Sequence, residues 1–428
     1  MIIVDTALER REAQGDPIRI GMVGAGYMGR GMAAVIERNM VGMRLVAIAN
    51  RTLEGAERAF AEAGVEAPAS VRDQEALDGV VARGGRVVTD DPLLVCRGRG
   101  IEAVIECTGE VEFAAHAVTE AIANRKHVLL VNAELDATVG PILKVLADRA
   151  GVVITNADGD EPGVAMNMLR FVRSIGYRPV LAGNVKGFLD HHRNPDTQRG
   201  FADAHGQRPF MVTSFADGTK LSLEATVLAN ATGFKVARRG MTGRRLDHVR
   251  QLLDFCDAKE LLEQGTVEFV LGAEPGSGAF VVGYNDDPLL MPYMSYFKLG
   301  DGPLYLFYRP FHLTHLEAPL SVARAVLFAD ATIAPRGAPV CEVATVAKRD
   351  LEAGEELDGI GGYTCYGLID NLDAARRDDV LPIGLASGAR LRRPVAADTA
   401  VTYADVALPA GRLVDELHAQ QTAHFNLP

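Results

Sequence analysis

A short glycine-rich run is the first feature of this chain that suggests chemistry. The run GAGYMG occupies residues 24–29, after an apolar segment at 18–23 and before a helical pattern that continues to residue 39. In a strand–turn–helix context, the first glycine permits a tight turn, the second admits a pyrophosphate and the third allows close helix packing. The N–H groups at the start of the helix would bind the phosphates. The predicted dinucleotide-binding residues here are Gly24, Gly26, Tyr27, Met28 and Gly29.

The end of the next apolar run indicates which dinucleotide is bound. Residues 44–49 are followed by Asn50, Arg51 and Thr52. Sites that prefer NAD usually carry an acidic residue here for the ribose 2′-hydroxyl. A cation with polar neighbours instead suits a 2′-phosphate, so we predict NADP (NADPH) as the cofactor. The alternative is that Arg51 is only a solvated charge.

The alternation of strands and helices continues through the first third of the chain. Strands are predicted at 101–106, 126–131 and 152–155, and helices at 111–124 and 141–150, with an inserted helix at 73–81 and a loop at 84–92. This order predicts an α/β fold with a doubly wound parallel sheet of the Rossmann type. Because ligands bind beyond the carboxyl ends of such strands, five residues are expected near the nicotinamide. They are Cys107, Thr108, Gly109, Asn132 and Glu134.

Three carboxylates follow the last of these strands. Asp158, Asp160 and Glu161 lie in the run NADGDEPG. Carboxylates that face a cofactor can hold a divalent metal or polarise a substrate hydroxyl. A solvated acidic loop is the plainer alternative, and Asp160 and Glu161 would also stabilise the positive end of a helix predicted at 164–175. The sequence leaves both roles open.

Two lysines in the middle of the chain are candidates for proton transfer. Lys186 ends a strand predicted at 180–186, and Lys220 begins a helix predicted at 220–230, one turn before Glu224. A buried lysine can transfer protons at neutral pH, and a charged one can stabilise a developing alkoxide. The alternative is that both lysines lie on the surface. His191 and His192 are adjacent, so their side chains point apart and do not predict a metal site.

The segment from residue 200 to 330 carries further predicted elements. Strands are predicted at 210–215 and 305–310, a hairpin within 267–282, and a helix that continues to residue 330 with Thr314 and Glu317 as its capping box. Arg309 is a candidate for binding an anionic substrate group. His315 either packs or faces the substrate.

Composition limits the class of protein. The 428 residues carry a net charge of −12 and are 48% hydrophobic, which argues against a nucleic-acid binder and for a globular protein. A small anionic substrate held by local Lys and Arg remains compatible with that charge. Five cysteines without a CxxC pair favour a reduced, cytoplasmic setting, and no apolar stretch is long enough for a membrane span. We predict domains at 1–160, with helix 314–330 packing back on it, at 161–335 and at 338–428, the last one small and β-rich.

Four of these motifs together resemble one family. They are the glycine run, ECTG at 106–109, GDEPG at 159–163 and HLTHLEAP at 312–319. With the tail, they resemble homoserine-dehydrogenase-like oxidoreductases that carry a C-terminal SAF domain. The tail segments 347–355 and 401–406 resemble the two halves of that domain. Within the family, the chain is similar to 1-deoxy-D-xylulose 5-phosphate reductoisomerase-like enzymes.

The resemblance implies an NADPH-dependent reductoisomerase that forms 2-C-methyl-D-erythritol 4-phosphate, an isoprenoid precursor, with a divalent metal (Mn²⁺ or Mg²⁺). It implies metal ligands among Asp158, Asp160, Glu161 and Glu224, catalytic roles for Lys186 and Lys220, and phosphate binding by Arg309 or Arg193. Asn184, beside Lys186, is a further expected substrate contact. The alternatives are an NADP-dependent homoserine-dehydrogenase-like dehydrogenase or oxidoisomerase of another small hydroxy or sugar acid, and a nucleotide-binding regulator without activity. By analogy, a homo-oligomer with no nucleic-acid or membrane partner is expected.

Overall fold

Two compact units make up the protein. The structure, a computed structural model, describes residues 4–427. Within these residues, contacts assign 4–160, 313–334 and 416–421 to the first unit, and 161–312, 335–415 and 422–427 to the second. In the part of the chain that the structure describes, no helix combines the length and apolarity needed to cross a membrane.

The first unit is built on a parallel sheet. Its seven strands are β1 (Ile18–Val23), β2 (Met43–Ala49), β3 (Ala69–Ser70), β4 (Val87–Thr89), β5 (Ala103–Glu106), β6 (His127–Leu130) and β7 (Ile154–Asn156). They lie in the order β3-β4-β2-β1-β5-β6-β7, and every pair is parallel. The strand order changes direction between β1 and β5, which is where such sheets bind ligands. The predicted α/β fold with a doubly wound parallel sheet is confirmed.

One helix precedes these strands and six connect them. They are α1 (Asp5–Ala13), α2 (Tyr27–Asn39), α3 (Leu53–Ala63), α4 (Gln74–Ala82), α5 (Pro92–Arg97), α6 (Val111–Ala123) and α7 (Ala133–Ala150). The core between sheet and helices is formed by side chains such as Ile20, Met32 and Phe60, none of which is exposed. The segment 84–92, which we predicted as a loop, contains β4. Three residues are too short for a period of two to be recognised in the sequence.

The second unit contains a mixed sheet. Its first part comprises α8 (Glu161–Ser174), β8 (Arg178–Lys186), α9 (Pro195–Ala204), α10 (Pro209–Ala216), α11 (Thr219–Thr232), β9 (Arg244–Arg245), α12 (Ala258–Glu263), β10 (Thr266–Leu271), β11 (Ala279–Tyr284), α13 (Met291–Tyr296) and β12 (Leu304–Arg309). The strand order is β12-β11-β8-β10-β9. Strands β8, β9 and β10 are parallel, and β11 is antiparallel to β8 and β12. The predicted hairpin is wrong, because β8 lies between β10 and β11.

Two other local predictions are wrong. The apolar segment at 210–215 is helical, as part of α10, which begins with Pro209, a residue favoured at the first helical position. The helix α14 (Thr314–Phe328) has Leu313 at its N-cap and no capping side chain. The hydroxyl of Thr314 donates instead to the Gly159 carbonyl (3.2 Å), so no capping box forms with Glu317.

The tail packs against α11 and does not form a separate unit. It contains β13 (Cys341–Ala347), β14 (Cys365–Asn371), α15 (Leu372–Arg377), α16 (Ile383–Ala386), β15 (Arg390–Leu391), β16 (Val406–Ala407) and α17 (Leu413–His424). The Gly367 N–H donates to the Thr219 hydroxyl (2.9 Å), and the Val340 N–H donates to the Asn230 side chain (2.8 Å). Because the tail covers α11, residues 219–231 of that helix are all buried. This structure differs from the three domains expected, since most of the tail shares the second unit.

Candidate active site

The glycine turn has the geometry that a dinucleotide site requires. Gly24 has φ +102°, and a Cβ there would lie 3.1 Å from the Cys107 carbonyl group. A Cβ on Gly29 would lie 2.7 Å from the Gly24 oxygen, so α2 approaches the turn closely. A Cβ on Gly26 would meet no atom within 4 Å. Gly26 therefore leaves space beside the N-terminus of α2, where a pyrophosphate would bind.

Of the residues after β2, some stabilise the fold and one is available to bind a cofactor. The side-chain oxygen of Asn50 accepts the Ala25 N–H (3.1 Å), and its amide donates to the Thr52 carbonyl (2.9 Å). Asn50 therefore holds the glycine turn against the start of α3, where Thr52 is the N-cap residue. Arg51 is exposed at the same corner. Among the three predicted residues, Arg51 is the one whose charge is available to a ligand.

The carboxyl ends of β5 and β6 bring polar groups together beside the turn. Thr108 donates both its N–H (2.8 Å) and its hydroxyl to Glu106, which is completely buried. Burial raises the pKa of Glu106 to about 7. Asn132 accepts the Leu135 N–H (3.0 Å) and thereby caps α7. Sequence reasoning missed Glu106 as a titratable group, although its place at the end of a buried strand was a usable signal.

The remaining predicted cofactor residues lie in the same region. Glu134 is buried in the first turn of α7, and Gly109 follows β5 with φ +74°. The thiol of Cys107 donates to the Gly24 carbonyl (3.1 Å), and burial raises its pKa. Cys107 therefore supports the glycine turn.

His315 packs within the first unit. Its ring makes an edge contact with Tyr27, with 6.1 Å between centroids. A Cβ on Gly31 would lie 2.6 Å from the His315 ring, so α14 approaches α2 at a residue without a side chain. Burial lowers the pKa of His315. Of the two roles left open by the sequence, the contacts fit packing.

A lysine flanked by two carboxylates lies in the second unit. Lys186 is the last residue of β8, Glu161 is the first residue of α8, and Glu224 lies in α11. The Lys186 Nζ is 2.6 Å from a carboxylate oxygen of Glu161 and 3.7 Å from one of Glu224. Folding thus brings together three of the five residues predicted to be catalytic.

The electrostatics of this cluster keep Glu161 ionised. Burial alone would raise the pKa of Glu161, but the charges of Lys186 and then His312 hold it well below its usual range. The His312 Nε2 lies 3.5 Å from the Glu161 carboxylate. The Lys186 side chain is 17% exposed, so its ammonium can reach a ligand from solvent. His312 was not predicted, because nothing in its sequence neighbourhood separates it from His315.

Other predicted residues surround the cluster or lie away from it. Lys220 is buried one turn before Glu224, on the same face of α11. Asn184 lines a small cavity with Glu161, Glu224 and Glu268. Glu268 accepts the N–H groups of Thr242 and Gly243 (2.9 Å and 3.1 Å) and so fixes the loop before β9.

The two arginines predicted to bind a substrate anion differ in their surroundings. Arg193 forms an ion pair with Asp190 (3.0 Å), and its guanidinium lies over the ring of Phe188 at 5.2 Å. Arg309 ends β12, and its guanidinium lies 4.3 Å from the centre of the Phe311 ring. Arg193 is thus engaged by its own loop, whereas Arg309 ends a strand of the sheet that carries Lys186.

The predicted metal ligands have protein partners in the structure, and the divalent metal stays a prediction. The Glu161 carboxylate accepts a hydrogen bond from the Lys186 ammonium at 2.6 Å. In the first unit, Asp158 accepts the Gly159 N–H (2.9 Å), and Asp160 accepts the Thr314 hydroxyl (3.3 Å). In the structure, these carboxylates take part in an ion pair and in hydrogen bonds that order a loop.

Comparison with known proteins adds to this geometry. Residues 159–318 match the family model described as "Oxidoreductase DRL, catalytic domain". That range contains the Lys186 cluster. The match supports the oxidoreductase class predicted from the sequence.

A weaker match is found with a homoserine dehydrogenase from Neisseria gonorrhoeae (strain ATCC 700825 / FA 1090). It is 28% identical over 138 residues, which are 32% of this chain and 28% of the relative. The chain thus spans less than a third of the length of that relative. The SAF domain and the reductoisomerase activity stay predictions.

Solved structures of dehydrogenases show only a distant likeness. A probable dehydrogenase from Thermotoga maritima is 13% identical, with a TM-score of 0.44, over 74% of this chain and 90% of that one. The apo scyllo-inositol dehydrogenase from Lactobacillus casei is 16% identical, with a TM-score of 0.41, over 73% of this chain and 87% of that one. At these values neither structure bears on the function of this chain.

Proposed function

We propose that the protein is an NADP-dependent dehydrogenase that interconverts a hydroxyl and a carbonyl group on a small anionic substrate, as a homoserine-dehydrogenase-like enzyme would. The observation that carries the proposal is the Lys186 ammonium, held at 2.6 Å by buried Glu161 inside the range that matches an oxidoreductase catalytic domain. The partial likeness to a homoserine dehydrogenase supports the reaction class.

The first unit supplies the binding site for the nicotinamide cofactor. The open space at Gly26 and the N-terminus of α2 suit the pyrophosphate, and exposed Arg51 suits a 2′-phosphate. The bound cofactor supplies or accepts the hydride. Thr108 and Gly109 follow β5 at the point where the strand order reverses, the usual position of the nicotinamide end.

Lys186 is the residue that we assign to proton transfer. When the carbonyl is reduced, its carbon gains the hydride and its oxygen gains a proton, which the Lys186 ammonium donates. In the oxidative direction the substrate hydroxyl returns that proton to the neutral amine. Glu161 and Glu224 orient the amine, since both carboxylates lie within 4 Å of it. Lys220, on the face of α11 that carries Glu224, is the second candidate for contacting the substrate oxygen.

A second candidate is the reductoisomerase implied by the sequence resemblance. It is favoured by the grouping of one lysine with two buried carboxylates, because such groups can hold the two oxygens of an enediol. This reaction would require a divalent metal, whereas Lys186 balances Glu161 in the structure. The dehydrogenase is therefore the better supported proposal.

Two assays with purified protein separate the candidates. NADP⁺ reduction is followed with homoserine, and NADPH oxidation is followed with 1-deoxy-D-xylulose 5-phosphate, each with and without EDTA. Turnover of homoserine that is unaffected by EDTA supports the dehydrogenase. EDTA-sensitive turnover of the sugar phosphate alone selects the reductoisomerase.

A matched pair of variants tests the role of the lysine. Lys186→Met should lower kcat at least about 100-fold, the usual contribution of general acid–base catalysis, without weakening NADPH binding. Lys259→Met, an exposed lysine of α12, is the control and should leave kcat unchanged. Normal turnover by Lys186→Met would contradict the assignment.

A further inference from the structure

An arginine that the sequence did not single out lies in register with Lys186. In the second unit, Leu271 of β10 pairs with Lys186 of β8 on one side and with Arg245 of β9 on the other. The three strands are parallel, so the residues form one row across the carboxyl ends of the strands. Side chains in register on neighbouring strands point to the same face of a sheet. The row therefore places Arg245 on the face that carries Lys186.

The preceding arginine confirms this orientation. Arg244 pairs with Val270, which pairs with Val185, so this row is one residue earlier. Val185 and Val270 belong to the apolar cluster on the opposite face, and the Arg244 guanidinium lies 4.5 Å from the centre of the Phe255 ring. Since successive side chains alternate between faces, Arg245 points away from that cluster.

The guanidinium of Arg245 lies beside Gly272, the residue after β10. The Gly272 N–H donates to the Lys186 carbonyl at 2.7 Å. A Cβ built on Gly272 would lie 3.9 Å from the Arg245 Nη1, so the guanidinium reaches the same point of the sheet edge. Arg245 is exposed, and within residues 4–427 its side chain forms no ion pair. The row thus presents a planar cation to solvent next to Lys186.

We propose that Arg245 binds the anionic group of the substrate, a phosphate or a carboxylate, while Lys186 contacts its reacting oxygen. This inference rests on the proposed function of Lys186. The planar guanidinium suits two oxygens of one anion, which a lysine cannot contact in the same way. Two strand spacings separate the backbones of the two residues by about 9.6 Å. That separation suits a short-chain substrate with its charge at the end opposite the reacting carbon.

The kinetic experiment compares two neighbouring arginines on opposite faces of β9. Arg245→Met should raise KM for the substrate that the enzyme turns over by about 10- to 150-fold, the effect of losing a hydrogen bond to a charged group, with kcat little changed. Arg245→Lys should reverse only part of the rise in KM, because lysine restores the positive charge but not the two parallel N–H donors of the guanidinium. Arg244→Met should leave KM unchanged. An equal rise in KM for both Met variants would overturn the proposal.

A binding experiment tests the site even if neither substrate is turned over. Calorimetric titration of inorganic phosphate and of succinate into the NADP⁺-loaded protein should show at least one of them binding to wild type and to Arg244→Met, but about ten-fold or more weakly to Arg245→Met. Tighter binding of phosphate identifies a phosphorylated substrate, and tighter binding of succinate a carboxylated one. If wild type turns over neither homoserine nor the sugar phosphate but binds phosphate or succinate through Arg245, the proposed reaction is rejected and the anion site is retained. Equal binding of both probes to all three proteins would reject the anion site itself.

Discussion

Lys348, in the tail, donates to the Asp217 carboxylate at 2.9 Å, and both side chains are buried. The same ammonium donates to the carbonyls of Arg193 and Gly362, each at 2.7 Å. Burial raises the pKa of Asp217, and the Lys348 charge opposes that rise. A residue of the tail thereby neutralises a carboxylate located immediately before α11, the helix that carries Lys220 and Glu224.

Removal of this lysine should strongly destabilise the second unit. Lys348→Met would leave the Asp217 carboxylate buried without a counter-charge, so we expect the free energy of unfolding to fall by about 3–5 kcal/mol. Urea denaturation followed by circular dichroism measures the change. Arg349→Met is the control, because its ion pair with Glu355 is solvent-exposed and should contribute at most about 1 kcal/mol. Equal losses in the two variants would show that burial of the Lys348 pair has no special effect.

Two glycines of the turn should have separable roles. Gly26→Ala places its methyl group in open space, so we expect the thermal midpoint to be retained and NADPH affinity to fall by about ten-fold or more. Gly29→Ala places its methyl group 2.7 Å from the Gly24 oxygen, so stability should fall. Thermal unfolding and fluorescence titration with NADPH distinguish the two effects. Unchanged NADPH binding by Gly26→Ala would remove the pyrophosphate from this turn.

Arg51 should determine the preference between the two nicotinamide cofactors. Arg51→Glu would place a carboxylate near the 2′-phosphate, so NADPH affinity should fall about ten-fold or more while NADH affinity changes little. The dissociation constants of both cofactors are measured by fluorescence titration. Arg58→Glu, in the helix α3 that follows Arg51, is the control and should not change the ratio. If Arg51→Glu also leaves the ratio unchanged, Arg51 does not contact the 2′-phosphate.

Glu106 should make the stability of the first unit depend on pH. Burial raises the pKa of Glu106 to about 7 in the fold from its ordinary value of 4.5, so the unfolded chain loses this proton at lower pH than the folded protein does. The carboxyl group therefore reduces stability progressively between about pH 4.5 and 7, by at most about 3.5 kcal/mol. Glu106→Gln keeps an acceptor for Thr108 and should be more stable than wild type above pH 7, with the gain disappearing near pH 4.5.

Thermal midpoints across this pH range test the prediction. The control is Glu57→Gln on the exposed side of α3. Its difference in thermal midpoint from wild type should not change with pH in this way, because the Glu57 side chain is exposed to solvent in the fold. A constant difference between Glu106→Gln and wild type at all pH values would refute the assignment to this group.

Elements with a strong local pattern were predictable from the sequence. The glycine turn, the alternation through β5 and β6 and the ends of β8 and β12 all follow from apolar runs bounded by polar residues or glycine. Lys186 was selected because it ends a predicted strand. In contrast, α10 was predicted as a strand because a short apolar run has no distinguishing period.

Features that depend on pairing between distant segments could not be predicted. The sequence places β10 and β11 next to each other, but β8 enters between them, because strand order is set by which surfaces can be buried together. The contacts of the tail with α11 could not be predicted either. They bury residues 219–231 of that helix, and the partner of a buried helix is not encoded in the helix itself. His312 and Glu161 are far apart in the sequence, and only folding brings their side chains within 3.5 Å of each other.

By itself, the sequence determined the local chemistry: a glycine turn for a pyrophosphate, a cation in place of an acid after the second strand, and a lysine at a strand end. These follow from residue type and near-neighbour spacing, which local backbone geometry fixes. Only the tertiary structure decided that Lys186 meets Glu161 and Glu224, and that Arg245 lies in its row while Arg244 does not. Strand register sets these relationships, and register depends on the burial of whole faces of the sheet, which no single segment encodes.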